Sequence, residues 1–305
     1  MTAQDHPPES PPPGKAVALG PGLRRIVAPN PSAMTLWGTN TYLLGDRDIA
    51  VIDPGPDRPA HLRAILDALA PGQRITHILV THAHLDHSPY ARQLAAATGA
   101  PVMAYGAAKA GRSAVMERLA EEGLAGGGEG VDAGFAPDLT LADGAIVEGA
   151  GWRLEALHTP GHFGNHLCFA WGDTLFTGDL VMGWATSLVS PPDGDLTDFM
   201  ASCERLARRD WAVLHPGHGA PVTEPRARID WLIAHRRSRE AQILAALAEA
   251  PGSAEGLARR IYVETPPALL PAAARNVFAH LVDLTGRGAV RPERTLAAKD
   301  IFHAL

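Results

Sequence analysis

The sequence predicts a layered α/β domain followed by a small, mostly helical second domain. Three observations carry that reading. Apolar segments of strand length recur through residues 23–222, with helical segments between them. Strand after strand ends in a loop carrying His or Asp, namely Asp53, the His82 to His87 loop, His162, Asp179 and His218. From about Ile229 the pattern changes to three helical stretches and two short strand candidates.

Taken in order, Leu23 to Val27 is the first strand candidate. Thr39 to Leu44 and Ile49 to Asp53 read as a hairpin turned by Gly45-Asp46-Arg47-Asp48, and Asp53-Pro54-Gly55-Pro56 stops the second strand. His61 to Leu69 has helical spacing and closes at Pro71-Gly72. Ile75 to Val80 is mostly apolar and rich in β-branched residues, so it reads as a buried strand. It delivers Thr81-His82-Ala83-His84-Leu85-Asp86-His87, after which Ala91 to about Thr98 reads as a helix ended by Gly99. Pro101 to Tyr105 is a strand candidate. Lys109 to Asp138 is helical at first and then Gly-rich. Leu139 to Leu157 reads as strands with a turn at Ala142-Asp143-Gly144. His158-Thr159-Pro160-Gly161-His162 follows, then a hairpin of His166 to Trp171 and Thr174 to Thr177 that runs into Gly178-Asp179. A Pro-rich loop precedes an amphipathic helix over Leu196 to Leu206. The strand Trp211 to Leu214 delivers His215-Pro216-Gly217-His218-Gly219.

The C-terminal part reads as helices over Trp231 to Ala248, Ser253 to Tyr262 (Ser253 suiting a cap) and Leu269 to Leu284. Short strands at Ala289 to Arg291 and Ile301-Phe302 follow. Helices followed by a β-hairpin outline a winged helix. The expected division is a disordered Pro-rich tail over 1–20, a first domain over 21–225 and a winged-helix-like domain over 226–305.

Composition is that of an ordinary globular chain: 305 residues, 46% hydrophobic and 20% charged. No apolar run reaches the ~18 residues of a membrane span, and the N-terminus lacks the basic start and apolar core of a signal peptide. Cys168 and Cys203 form no CxxC pair, which fits a reducing cytoplasm. The net charge of -6 is uneven. From Arg226 onward twelve Lys/Arg face eight Asp/Glu, so that segment is +4 and residues 1–225 carry -10. The asymmetry points weakly to an anionic partner for the tail segment, against the alternative of a solvated helical surface.

The chemistry concentrates in seven residues. His82 and His84 are two apart, so in an extended loop both project to one side and can bind one ion. Asp86 and His87 can serve a second ion at a different angle. His162 and His218 can each complete one site, and Asp179 can bridge. Two divalent ions roughly 3.5–4 Å apart would share a bridging hydroxide as nucleophile. Spacing alone does not assign each ligand to an ion.

The stretch His82 to His87 resembles the HxHxDH signature of the metallo-β-lactamase superfamily. Asp53, His162, Asp179 and His218 follow the order and contexts (IDPG, TPGH, TGD, PGHG) of that family. The resemblance covers roughly residues 23–222. It implies an αβ/βα sandwich of two mixed sheets with the metals at one edge. It implies one metal on His82, His84 and His162, a second on Asp86, His87 and His218, and Asp179 between them. Asp53 is then a supporting group rather than a ligand. The set contains no cysteine. His and Asp donors suit Zn and tolerate Fe or Mn. Beyond His218, the segments Ile229 to Glu240, Gln242 to Leu244, Ile261-Tyr262 and Asn276 to Leu281 resemble the beta-lactamase-like protein 2 family. That resemblance implies a C-terminal winged helix and a link to single-stranded RNA endonuclease activity.

The sequence thus predicts a metal-dependent hydrolase, with Asp86 orienting the nucleophile. The substrate expected first is single-stranded RNA. The alternative is a thioester or lactone, as in the hydroxyacylglutathione hydrolases, and a third reading is a nucleic-acid- or protein-binding metal sensor. The loop Val181 to Asp198, with Trp184, Thr186 and Ser187, is expected to wall the substrate pocket. A small-molecule ester or single-stranded RNA as partner, no membrane, a homodimer and a cytoplasmic location complete the expectations.

Overall fold

The computed structural model describes residues 10–127 and 130–305. Its first sheet has seven strands in spatial order: β1 (Val17–Gly20), β2 (Leu23–Val27), β3 (Asn40–Leu44), β4 (Asp48–Ile52), β5 (Arg74–Leu79), β6 (Val102–Ala104) and β7 (Leu139–Thr140). The first four pair antiparallel, and β4 to β7 pair parallel. The second sheet holds β8 (Ile146–Gly149), β9 (Trp152–His158), β10 (Leu167–Trp171), β11 (Thr174–Gly178) and β12 (Val213–Pro216), in the order β12-β11-β10-β9-β8. Only β11 and β12 are parallel within it.

Period-two alternation on strands buried on both faces builds the layers. Leu43, Ile49 and Val51 face α1 (Pro59–Asp67) and α2 (Ala91–Thr98), packing with Ile65 and Leu94. Their neighbours Tyr42, Leu44, Ala50 and Ile52 face the second sheet, packing with Leu154, Ala156, Phe169 and Phe176. The far face of the second sheet (Leu157, Cys168, Ala170, Leu175, Leu214) packs on α4 (Leu196–Leu206) through Phe199 and Cys203. The stack is helix, sheet, sheet, helix, the αβ/βα sandwich expected from the motifs.

The remaining elements are α3 (Ala114–Glu121), α5 (Pro225–Glu249), α6 (Ala254–Ile261), α7 (Leu270–Gly286), β13 (Val290–Pro292) and β14 (Phe302–Ala304). The last two pair antiparallel as the wing of a winged helix. Ser253 caps α6 by accepting the Gly256 N–H at 3.2 Å. One helix serves two cores. Ile229, Leu232 and Ile233 of α5 lie in the core beneath the second sheet, whereas Ile243 and Leu247 pack with Leu257, Val277, Phe278 and Phe302.

The structure corrects or refines the reading in four places. The expected tail falls partly outside the described residues (1–9), but Val17–Gly20 is a strand paired with β2. Its four residues carry too little pattern to stand out among prolines. The turn at Ala142-Asp143-Gly144 separates the two sheets, and the hairpin is β8 with β9. The last strand of the sandwich starts at Val213, because Trp211 is turned back with its Nε1–H on Leu206 O at 3.0 Å. Helix α5 begins six residues before Trp231, with Pro225 at its first turn, where a missing N–H costs nothing.

Candidate dinuclear metal centre

Asp53 and the seven expected donors each follow the C-terminal end of a strand, at the edge where the two sheets meet. Asp53 follows β4, His82 to His87 follow β5, His162 follows β9, Asp179 follows β11 and His218 follows β12. Direct bonds close that edge. Leu167 N–H donates to Thr81 O at 2.8 Å, Asn40 N–H to Gly217 O at 2.7 Å and Tyr42 O–H to Pro216 O at 2.6 Å. Gly161 lets the His162 loop approach α4. A Cβ there would sit 2.3 Å from the Phe199 Cα.

The seven donors form two groups, His82, His84, His162 and Asp179, and Asp86, His87 and His218. Within each group the donor atoms lie within 4.8 Å of one another, and all seven residues are buried. Asp179 reaches both groups, with Oδ2 3.7 Å from His162 Nε2 and 3.2 Å from His218 Nε2, and Oδ1 3.5 Å from His87 Nε2. Asp86 Oδ2 lies 3.2 Å from His218 Nε2 and accepts the Thr39 hydroxyl at 3.1 Å.

The partners of the far ring nitrogens set the tautomers. His87 Nδ1–H donates to Asp53 Oδ2 at 2.9 Å, His162 Nδ1–H to Leu188 O at 2.7 Å and His218 Nδ1–H to Gly38 O at 3.2 Å. The Thr81 hydroxyl donates its one proton to Asp53 Oδ2 at 2.8 Å, so toward His82 Nδ1, 2.9 Å away, it can only accept. In the neutral rings the four Nε2 atoms of His82, His87, His162 and His218 are therefore bare lone pairs. His84 Nδ1 lies 2.8 Å from His82 Nε2 and 3.1 Å from His162 Nε2. A single ring proton can serve only one of those contacts, which leaves a lone pair facing a lone pair.

This arrangement fits divalent cations. Asp86 Oδ1, His87 Nε2, Asp179 Oδ1 and His218 Nε2 are buried with no hydrogen-bond partner among the described residues. Unpartnered buried polar atoms are costly, and four on the residues of two adjoining donor groups suit cations that would satisfy them. A Cβ on Gly217 would sit 2.3 Å from Asp179 Oδ1 and 2.7 Å from His87 Cε1, so only glycine leaves this cradle open.

Electrostatics separates the two groups of rings. Burial pushes His82 well below the ordinary imidazole value and His84 down to about 3. Burial also opposes charge on Asp86, but His87 and His218 outweigh it and hold that carboxyl well below the usual range. Asp179 is held down in the same way by His218 and His87. In return, Asp179 and Asp86 overcome burial at His218 and raise it to about 10, and Asp86, Asp179 and Asp53 raise His87.

Asp53 lies behind the donors rather than among them. It is 2% exposed in a left-handed backbone conformation (φ 52°), which short polar residues tolerate. Its Oδ1 accepts the Thr81 N–H at 2.7 Å. Of the other histidines, His166 touches the site, accepting the Asp179 N–H at its Nε2 at 3.3 Å. His77 packs on Trp152, His158 on Tyr105, His215 on Tyr42 and Phe176, and His235 on Trp231. In the expected pocket loop, half-buried Trp184 sits near Gly219, beside His218, and Thr186 is half-buried. Ser187 does not face an open pocket. It is fully buried and its hydroxyl donates to Leu180 O at 2.7 Å. Motif reading missed Thr81 and Thr39, and the carbonyls of Gly38 and Leu188 carried no residue-type signal at all.

Residues 34–218 match the metallo-beta-lactamase superfamily, and residues 253–298 match the beta-lactamase associated winged helix domain. The chain belongs to the metallo-beta-lactamase superfamily and is a metal-dependent hydrolase carrying a C-terminal winged helix, as its motifs implied. Within that class it is similar to the beta-lactamase-like protein 2 homolog of Drosophila melanogaster. The two are 34% identical over 89% of this chain and 90% of that protein. It is also 30% identical to the atrochrysone carboxyl ACP thioesterase of Aspergillus fumigatus, over 75% of this chain and 66% of that protein. Among solved structures, a beta-lactamase domain protein from Burkholderia ambifaria shares the fold, with a TM-score of 0.79 over 98% of this chain and 96% of that one at 22% identity. A metallo-beta-lactamase family protein from Thermus thermophilus aligns with a TM-score of 0.73 over 94% and 100% of the two chains, at 25% identity. Among the described residues no helix is long and apolar enough to cross a membrane.

Proposed function

We propose that the chain hydrolyses acyl esters and thioesters at a dinuclear centre. His82, His84 and His162 hold one divalent ion, Asp86, His87 and His218 hold the other, and Asp179 lies between them. The observation that carries this reading is the set of four buried, unpartnered donor atoms on Asp86, His87, Asp179 and His218. Zinc suits the donor set, and iron or manganese is compatible with it. When bound, such ions supply Lewis acidity and lower the pKa of water toward neutrality.

The protein's own groups do the rest. Asp53, Thr81, Leu188 O and Gly38 O hold four imidazoles with their Nε2 lone pairs facing inward. Thr39 holds one oxygen of Asp86, while Oδ1 has no protein partner and is free to orient the attacking water. Leu85, inside the metal motif yet 45% exposed, and Trp184 beside the His218 loop offer apolar surface for an acyl group. The thioesterase named among the relatives supports the same substrate class. Two buried free thiols, Cys168 and Cys203, support a reducing, cytoplasmic location.

The single-stranded RNA reading rests on the basic C-terminal segment and on the likeness to the beta-lactamase-like protein 2 family, and ranks second here, because ten of the twelve cations from Arg226 onward already have partners within the protein. Arg226, Arg237, Arg259, Arg287 and Arg294 pair with carboxylates. Arg228, Arg236, Arg260 and Arg275 donate to backbone carbonyls, and Arg239 donates to Gln242. A phosphate backbone needs exposed, uncommitted Lys and Arg. Zinc-loaded protein is to be assayed against S-lactoylglutathione, a longer acyl thioester and single-stranded RNA, beside an Asp86→Ala, His87→Ala double variant. Thioester turnover that disappears in the double variant is expected. RNA cleavage that needs the site, with no thioester turnover, overturns the reading.

A further inference from the structure

The carbonyl that orients His162 belongs to a segment without regular secondary structure, and that segment is held from outside the sandwich. Leu188 O accepts the His162 Nδ1–H at 2.7 Å. Both chain neighbours of Leu188 are gripped by the C-terminal helices. Arg236 of α5 donates from one Nη to Ser187 O and from the other to Asn276 Oδ1 at 2.9 Å. The same oxygen of Asn276, on α7, accepts the Val189 N–H at 3.1 Å. Two donors converge on that atom, which fixes which way the amide faces. Farther along the loop, Arg228 donates to Met182 O at 2.7 Å and Ala185 O at 2.6 Å, and Arg275 donates to Ser190 Oγ at 2.9 Å.

Arg236 is 3% exposed, lies over the Phe199 ring at 5.0 Å and among the described residues makes no ion pair with a carboxylate. Burying a guanidinium in this way is an expensive route to stability, and an apolar side chain of similar length would pack at lower cost. What the guanidinium adds is geometry, since its planar fork ties two chain segments at fixed angles.

We propose that Arg236 and Asn276 are positioning residues for the metal centre. Holding Ser187 and Val189, they fix the Leu188 carbonyl and through it the tautomer and ring angle of His162. The C-terminal domain is then part of the metal site without touching the metal. This inference rests on the reading of His162 as a ligand.

The test is a Zn2+ titration of the metal-stripped full-length chain against a competing chelator. His162→Ala serves as reference, and circular dichroism and thermal unfolding check each variant's fold. Asn276→Leu removes the shared acceptor, Asn276→Asp keeps it, and Arg236→Met is a second route should Asn276→Leu fail to fold. The expected result is that Asn276→Leu and Arg236→Met weaken one zinc equivalent by about 10- to 100-fold, the range seen when partners of metal ligands are removed. That equivalent is the one His162→Ala weakens. The other stays unchanged, and Asn276→Asp behaves as wild type. If His162→Ala weakens one equivalent and the folded Asn276 and Arg236 variants weaken neither, or weaken both alike, the positioning role falls while the ligand reading stands. If His162→Ala also changes nothing, both fall.

Discussion

At the scale of single residues, the site is defined by which nitrogen of each imidazole keeps its proton. Asp53, Thr81 and two backbone carbonyls settle that question for four rings and leave their four Nε2 lone pairs for the two donor groups. Gly217 matters for the space between them. Replacing it with alanine puts a methyl 2.3 Å from Asp179 Oδ1 and 2.7 Å from His87 Cε1, so one of the two must shift. Gly217→Ala is expected to fold and to lose metal affinity by about 10- to 100-fold. Zinc content after dialysis checks this, and full zinc occupancy at wild-type affinity would contradict it. The candidate donors that the fold brings together were legible in the sequence because His and Asp at those spacings have few other uses in company. Their supports were legible only in part. Asp53 stands in a motif, but Gly38 and Leu188 act through carbonyls that every residue possesses, so only the folded chain identifies them.

At the scale of elements, the rule of a strand ending in a His- or Asp-bearing loop survives contact with the structure, since β4, β5, β9, β11 and β12 each deliver a piece of the site. What the pattern could not give was which strands share a sheet. Ala142-Asp143-Gly144 has the composition of a hairpin turn, yet it joins β7 of one sheet to β8 of the other. Turn chemistry fixes local backbone, whereas sheet membership depends on nonlocal pairing. Helix α7 illustrates a different cost. His280 is 1% exposed and neither ring nitrogen has a hydrogen-bond partner among the described residues. Burial, with Arg236 nearby, pushes the imidazole down to about 3. A folded value below the unfolded one, about 6.5, favours the neutral ring in the native state. The associated stability is complete above that unfolded value and is lost progressively as the pH falls below it toward the folded value. His280→Leu removes this liability. Between pH 7 and pH 5 the metal-stripped variant is expected to lose about 2 kcal/mol less stability than metal-stripped wild type. Urea unfolding at both pH values measures this, and identical pH dependence would contradict it.

At the scale of the molecule, the two domains read from the sequence are joined more closely than a linker would allow. Helix α5 contributes Ile229, Leu232 and Ile233 to the sandwich core and Ile243 and Leu247 to the winged-helix core, and Ala279 of α7 packs with the former. Shared burial of this kind couples unfolding, so metal-loaded protein is expected to unfold in one cooperative calorimetric transition. Two resolved transitions would contradict that. The same closeness shows why charge asymmetry alone is a weak guide to partners. The +4 excess after Arg226 is visible in the sequence, but pairing within the helices and capture by carbonyls of the site loop are visible only in three dimensions. The central claim is that one superfamily edge holds two metal ions on seven side chains. It is tested most directly by counting zinc per chain after reloading metal-stripped protein, in wild type and in His162→Ala and His218→Ala. Two ions are expected in wild type and one in each variant, with the double variant holding none tightly. A wild-type count of one, or two ions retained in either variant, would contradict it.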